Sequence, residues 1–146
     1  MRKVLAISNI MAAMAILLFI IQPFRTAPPT PKVTTGGVSI PTTEGSYCWD
    51  GLFSSQCVDK AYSSEAAMAG EKKRTVVSPG EKIIVKFQKK PEKINAERWI
   101  GNEQGESVKV QNHMIVVPKE KGIFVYHLVA HWKQGDGSYS FLVEVK

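Results

Sequence analysis

The sequence predicts a mainly β protein, an antiparallel sandwich with one short helix, preceded by an N-terminal transmembrane helix. Three features carry this prediction. Residues 4–24 contain only three polar side chains and have basic residues on both sides. From Thr75 onward, short apolar segments follow one another with glycine or proline between them, which is typical of antiparallel sheets. Cys48 and Cys57 lie nine positions apart in the part of the chain predicted outside the membrane.

The N-terminal segment is long enough to span a bilayer. Its 21 residues make a helix of about 30 Å, close to the thickness of the hydrocarbon core. Arg2 and Lys3 in front of it place the N-terminus in the cytoplasm and the rest of the chain outside. Residues 1–25 are therefore predicted to be a signal anchor, in a single-pass protein of the cell membrane whose C-terminal domain is extracytoplasmic.

A cleaved signal peptide is the alternative, and it would make the protein secreted. Signal peptidase needs small residues at two positions before the cut. The only candidate, Arg25-Thr26-Ala27, has an arginine at the first of these positions and is followed by Pro28. We therefore favour an uncleaved anchor.

The chain beyond residue 25 is enough for one domain and too short for two. The whole chain has a net charge of +6, but Arg2, Lys3 and Arg25 belong to the N-terminal segment, so the remainder carries +3. This excess fits loose attraction to an anionic cell wall or to lipid headgroups. It does not argue for nucleic acid, and we expect no nucleic-acid partner outside the cytoplasm.

The outer part divides into a linker and one folded domain. Three prolines in residues 26–32 favour an extended polyproline conformation, which predicts a linker in front of a domain at 33–146. The first elements predicted in this domain are a strand bent at Gly36-Gly37 (33–40), a short strand (46–50), a loop between the cysteines (51–56) and a short helix (58–69).

Alternating apolar residues predict strands in the second half of the domain, at 76–77, 82–89, 93–100, 107–111, 113–118, 122–133 and 138–146. The last two give the strongest signal, because the glycines and aspartate of 134–137 suit a hairpin turn. So many short strands predict an immunoglobulin-like sandwich. Cys48 and Cys57 are too close to form the inter-sheet disulfide of an antibody domain, so the architecture rests on strand pattern alone.

The two cysteines are predicted to form a disulfide. Exported proteins mature in oxidising compartments, and closing so short a loop stabilises the fold by about 2.5–3 kcal/mol in the chain-entropy model. A metal site would need further ligands at CxxC or CxxH spacing, and the sequence has none. Two free thiols remain an alternative. No metal and no cofactor are predicted.

Other candidate chemical groups give weak signals. His127 and His131 have the spacing of a helical metal motif, but their segment alternates as a strand, where four residues span about 13 Å. No GxSxG turn is present for a nucleophilic serine. Glu44 and Asp50 flank the first cysteine, and a pair of carboxylates is conceivable there. An enzyme, such as a cell-envelope hydrolase, is therefore kept as an alternative.

Two clusters are candidate binding residues. Tyr47, Trp49 and Phe53 surround the first cysteine, where they either form a binding lip on a stapled loop or pack the disulfide against the sheet. Lys89 and Lys90 belong to the densest group of basic residues. They either form a patch for an anionic partner or protect an edge strand from unwanted pairing.

The residues GSYCW at 45–49, the Cys57-Val58-Asp59 that follows, and the terminal hairpin with Trp132 resemble a group of small proteins of Gram-positive bacilli. These proteins are membrane-anchored or exported. The resemblance implies an extracytoplasmic β-sandwich and supplies no activity or catalytic residue.

Together these features predict a membrane-anchored binding module that is not an enzyme. Its N-terminal helix contacts the membrane, and its ligand is an envelope protein, a cell-wall polymer or a peptide. A structural or regulatory subunit of a membrane complex is a further alternative.

Overall fold

A computed structural model describes residues 2–21, 26–100 and 105–146. Helix α1 runs over Arg2–Ile21, and the side chains described within it are those of 7–18. Within the described part of the chain, no helix has the length and apolar character needed to cross a membrane. The predicted anchor at 4–24 extends beyond Ile21, and Arg25 of the candidate cleavage site lies outside the described residues as well.

The remaining described residues form a two-layer β-sandwich with one short helix. The elements are β1 Lys32–Thr35, β2 Val38–Ile40, β3 Thr43–Asp50, β4 Ser55–Val58, α2 Glu65–Gly70, β5 Thr75–Val77, β6 Lys82–Lys86, β7 Lys93–Ile100, β8 Glu106–Val108, β9 Met114–Val116, β10 Gly122–Trp132 and β11 Gly135–Val145. The predicted all-β sandwich is confirmed at this level.

The strands form two sheets of unequal size. The small sheet has the order β2-β1-β6-β9, and the large one has the order β4-β3-β11-β10-β7-β8. All these pairs are antiparallel, while β5 pairs in parallel with the end of β11, from Val143 to Val145. The long edge of β11 is therefore shared between β3 at one end and β5 at the other.

Alternation along β10 and β11 forms the core. Phe124, Tyr126 and Leu128 lie on the inner face of β10 and are buried, as are Tyr139 and Phe141 on β11. The small sheet contributes Val33, Ile83, Val85 and Ile115, which are also buried. Because neighbouring residues of a strand point to opposite faces, this pattern was readable in the sequence.

The glycine pair at 36–37 makes a hairpin rather than a bend in one strand. Gly36 and Gly37 have φ of +50° and +84°, and Thr35 pairs with Val38 across the turn. Two consecutive positive φ values define the tight turn that matches the twist of paired strands. The predicted single strand at 33–40 is therefore the pair β1 and β2.

The final hairpin turns earlier than predicted. Trp132 pairs with Gly135, so the turn is Lys133-Gln134 and not 134–137. The two glycines serve close packing instead, because a Cβ at Gly135 would overlap the Cys48 carbonyl and one at Gly137 would meet Pro28 and Tyr139.

The helix α2 is shorter than the predicted 58–69. Ser64 caps it, with its hydroxyl accepting a hydrogen bond from the Ala67 amide at 3.1 Å. Met68 and Ala69 are buried against the outer face of the large sheet. Serine at the cap position explains the start, since its side chain satisfies an amide that the first turn leaves free.

The proline-rich segment packs on the sandwich instead of standing away from it. Pro28, Pro29 and Pro31 are buried, and the Tyr139 hydroxyl donates a hydrogen bond of 2.9 Å to the Pro29 carbonyl. Proline lacks an amide hydrogen that burial would leave unsatisfied. Residues from Pro28 onward thus belong to the folded domain, where the sequence predicted a linker over 26–32.

Candidate functional site

The disulfide-bonded hairpin of β3 and β4 projects from the edge of the large sheet. Cys48 and Cys57 are directly opposite each other in the strand register, with their Cα atoms 4.0 Å apart. They form the predicted disulfide, which is confirmed. A crosslink between neighbouring strands three positions from the turn limits fraying of this edge.

The tip of the hairpin carries two exposed apolar side chains. Leu52 is 63% exposed and Phe53 is 81% exposed. The Gly51 amide donates to the Ser54 carbonyl at 2.8 Å, which closes the turn beneath them. The Asp50 amide also donates to the Gln134 carbonyl at 2.6 Å, so the hairpin is fastened to the β10–β11 turn. The tip is a short, braced loop that presents apolar surface to solvent.

Trp49 does not belong to this surface. It is 4% exposed, and its ring meets the edge of the Trp132 ring at a centroid distance of 5.5 Å. Trp49 lies on the inner face of β3, while Cys48 and Asp50 on either side of it are exposed. The predicted role of Trp49 in a binding lip is therefore corrected, because strand alternation places this residue in the core.

Tyr47 shares the inner face with Trp49. Its side chain is half-buried and packs against the edge of the core. Of the three aromatic residues predicted for the binding lip, the structure leaves Phe53 on the surface. Leu52, which is not one of the predicted binding residues, lies beside it. An apolar pair inside a glycine- and serine-flanked turn is the signal that identifies both.

Lys89 and Lys90 lie at the same end of the sandwich as the tip. Both are exposed, in the loop between β6 and β7. The Trp132 indole donates a hydrogen bond of 2.9 Å to the Lys89 carbonyl, and its ring also meets Phe87 at 5.2 Å. Trp132 is thus packed between the strand that leads to the lysines and the strand that leads to the tip.

The alternative role of these lysines, protection of an edge strand, fits the first residues of β7 and not β6. β6 lies between β1 and β9, and β7 lies between β10 and β8. Both strands are interior to their sheets, but β8 pairs with β7 only over 96–98, so residues 93–95, which follow the lysine loop, have a partner strand on one side only. We call the surface formed by Leu52, Phe53, Lys89, Lys90 and the turn residue Lys133 the hairpin end.

A cavity of about 250 Å³ adjoins the hairpin end. Its wall contains Lys90, Glu92 and His113. Asn112 and His113 both have positive φ, of 50° and 63°, and form a tight two-residue turn in which Gln111 and Met114 exchange hydrogen bonds. His113 was predicted at the start of a strand, and it lies in this turn instead.

A second cavity, of about 340 Å³, lies beside α2 on the outer face of the large sheet. Here Glu65 Oε2 accepts a 3.3 Å hydrogen bond from the Ser140 hydroxyl and lies 3.8 Å from His127 Nδ1. The carboxylate stands between serine and histidine. In a Ser-His-acid triad the serine contacts the histidine directly. Ser140 contacts Glu65 instead and is fully buried, so this cluster does not have the arrangement of such a triad.

The two histidines of β10, His127 and His131, contact different residues. His127 faces Glu65, whereas Nε2 of His131 lies 3.2 Å from the Asn95 amide nitrogen. Both are half-buried on the outer face of β10. In the described ranges, no three histidine, cysteine, aspartate or glutamate side chains converge to hold a metal ion.

Comparison with known proteins adds no relative. No protein-family model, curated protein or solved structure matches the chain. The resemblance to exported proteins of bacilli stays a prediction.

Proposed function

We propose that this protein is a membrane-anchored, extracytoplasmic binding module without catalytic activity, and that the hairpin end is its contact surface. The observation that carries the proposal is the exposure of Leu52 and Phe53 on a disulfide-bonded tip. Apolar side chains held on a rigid loop lose little conformational entropy when they are buried against a partner. The partner is a component of the cell envelope.

The helix α1 supports the anchor. All described positions of this helix, 7–18, are exposed, and they include Ile7, Ile10, Met11, Met14, Ile16, Leu17 and Leu18. So much contiguous apolar surface needs an apolar partner. The Cys48–Cys57 disulfide supports an oxidising, extracytoplasmic location for the domain.

The strand order supports an immunoglobulin-like domain. In the large sheet β7, β10 and β11 are neighbours with β8 beyond β7, and in the small sheet β6 pairs with β9. The six consecutive strands from β6 through β11 correspond in order to strands B, C, C′, E, F and G of an immunoglobulin domain. This correspondence reproduces both the order of the strands along the chain and their division between the two sheets.

In this scheme the hairpin of β3 and β4 belongs to an insertion within the first strand of the immunoglobulin-like domain. β1 pairs with β6 and β5 pairs with β11, so the first strand of the domain is divided between the two sheets. Residues 38–70, which separate the two pieces, contain β2, β3, β4 and α2. Connections on a rigid scaffold are common sites of recognition, and the hairpin extends such a scaffold beside β11.

Photo-crosslinking in cells tests the contact surface. We expect the full chain with Phe53→p-benzoylphenylalanine to form an adduct with an envelope component on irradiation. Val76 is the matched control, because it is 54% exposed and pairs near the opposite end of β11. Adducts at position 76 and none at position 53 would contradict the proposal.

A further inference from the structure

We propose that the partner of the hairpin end is the anionic surface of the bilayer that holds α1. Leu52 and Phe53 enter the interface, and Lys89, Lys90 and Lys133 lie over the headgroups. This inference rests on the proposed function and names the partner for the same surface.

The chain enters the sandwich at the hairpin end. Lys32, the first residue of β1, pairs with Lys86 at the end of β6, and β6 leads directly into the loop of Lys89. The Pro29 carbonyl accepts a hydrogen bond from the Tyr139 hydroxyl, and Pro28 lies close to Gly137, three residues after the β10–β11 turn. Residues 28–32 therefore enter the domain beside the tip and the lysines.

The connection to α1 is short. Six residues separate Ile21 from Pro28, and a fully extended chain of that length spans at most about 20–25 Å. With α1 in a bilayer, the hairpin end is the part of the domain that this tether holds near the lipid surface.

The charges at this end complement an anionic surface. Lys32 and Lys86 are directly opposite each other and both are exposed. Like charges placed this way repel each other across paired strands, and a negatively charged surface relieves that repulsion. Asp50 and Glu92 offset part of the excess of lysine.

The small size of the apolar tip favours lipid over a protein partner. A stable protein interface covers about 800 Å² on each partner, and two side chains on a narrow turn provide far less. Membrane association instead combines a small apolar insertion with attraction between lysines and anionic lipids. Leu52 with Phe53 supplies the first of these signals and the lysines supply the second.

Reconstitution tests the inference. The full chain with Phe53→p-benzoylphenylalanine is placed in vesicles of equal parts phosphatidylglycerol and phosphatidylcholine, irradiated, and analysed by mass spectrometry. We expect a lipid adduct at position 53 and little at the Val76 control. The double variant Lys89→Glu/Lys90→Glu should lower the yield by about 25-fold or more, since each lysine near an anionic surface contributes about fivefold in affinity and each glutamate is repelled.

The controls separate the inference from the proposed function. Lys72→Glu/Lys73→Glu makes the same charge change in exposed residues just before β5, and it should leave the yield unchanged. Equal lipid labelling at 53 and 76, or no lipid adduct at 53, overturns the inference. A protein or polymer adduct at 53 in cells, without a lipid adduct in vesicles, overturns it while the proposed function stands.

Discussion

Trp49 and Phe53 are only four positions apart, yet one is buried in the core and the other is exposed. Trp49 is still within the regular alternation of β3, so its ring points into the core against Trp132. Phe53 lies in the turn beyond the strand, where the alternation ends, and its ring is exposed. The sequence shows both as aromatics near a cysteine, and only the end point of the strand distinguishes them.

Alanine substitution at these two positions should give opposite results. We expect Trp49→Ala to lower the free energy of unfolding by about 3–5 kcal/mol, because it leaves a cavity in the core. Phe53→Ala should change it by less than about 0.5 kcal/mol, as exposed substitutions do. Urea denaturation measures both. Similar losses for the two variants would contradict this placement.

Tyr126 predicts how the fold responds to alkali. Burial raises the pKa of its phenol to about 12, and the nearby Arg98 opposes the shift. The unfolded state ionises near pH 10 while the folded state keeps the proton. The contribution of Tyr126 to the free energy of unfolding is therefore fully present below pH 10. It is lost as the pH rises from 10 to 12, which lowers the free energy of unfolding by up to about 2–3 kcal/mol.

The comparison with Tyr126→Phe isolates this effect. Phenylalanine keeps the ring and cannot ionise, so the variant should lose less stability than the native chain between pH 10 and 12. Urea denaturation at a series of pH values measures the difference. Parallel curves for the two proteins would show that Tyr126 does not control the loss.

At the scale of elements, the sequence predicted strands better than turns. The long pair β10 and β11 follows from strict alternation of apolar residues. The turns depend on which backbone segments meet, which no local pattern contains. A glycine is required at position 135 because a Cβ there would overlap the carbonyl of Cys48 on the neighbouring strand. In the sequence this glycine is indistinguishable from a turn glycine.

The candidate site was predictable only where it depends on local sequence. The disulfide followed from the predicted compartment and the cysteine spacing, and the exposure of Lys89 and Lys90 from their charge. The neighbouring position of the lysine loop and the hairpin tip was not predictable. It depends on Trp132 packing between Phe87 and Trp49, a contact between residues more than 40 positions apart in the sequence.

The disulfide should contribute measurably to stability. We expect Cys48→Ser/Cys57→Ser to lower the free energy of unfolding by about 2–3 kcal/mol, since the unfolded chain gains the freedom of the opened loop. Urea denaturation of the oxidised native chain and of the variant gives this difference. If the two midpoints and slopes agree, the hairpin unfolds independently and the crosslink acts on β3 and β4 alone.

At the scale of the whole molecule, the two ends of the sandwich carry different loops and chain segments. The entry of the chain at Lys32, the disulfide-bonded tip and the loop of Lys89 share one end, because β1, β4, β6 and β10 all have a terminus at that end. Val76 and the Gly36-Gly37 turn lie at the other. If residues 1–25 anchor the chain as proposed, this topology limits the orientation of the domain to the membrane.

Hydrogen–deuterium exchange of the full chain in anionic vesicles tests this orientation most directly. Relative to detergent micelles, we predict slower exchange in vesicles for the amides of 51–54 and 87–90. The amides around Val76 should exchange equally in both. Unchanged exchange at 51–54, or protection of Val76 instead, would contradict a hairpin end that rests on the bilayer.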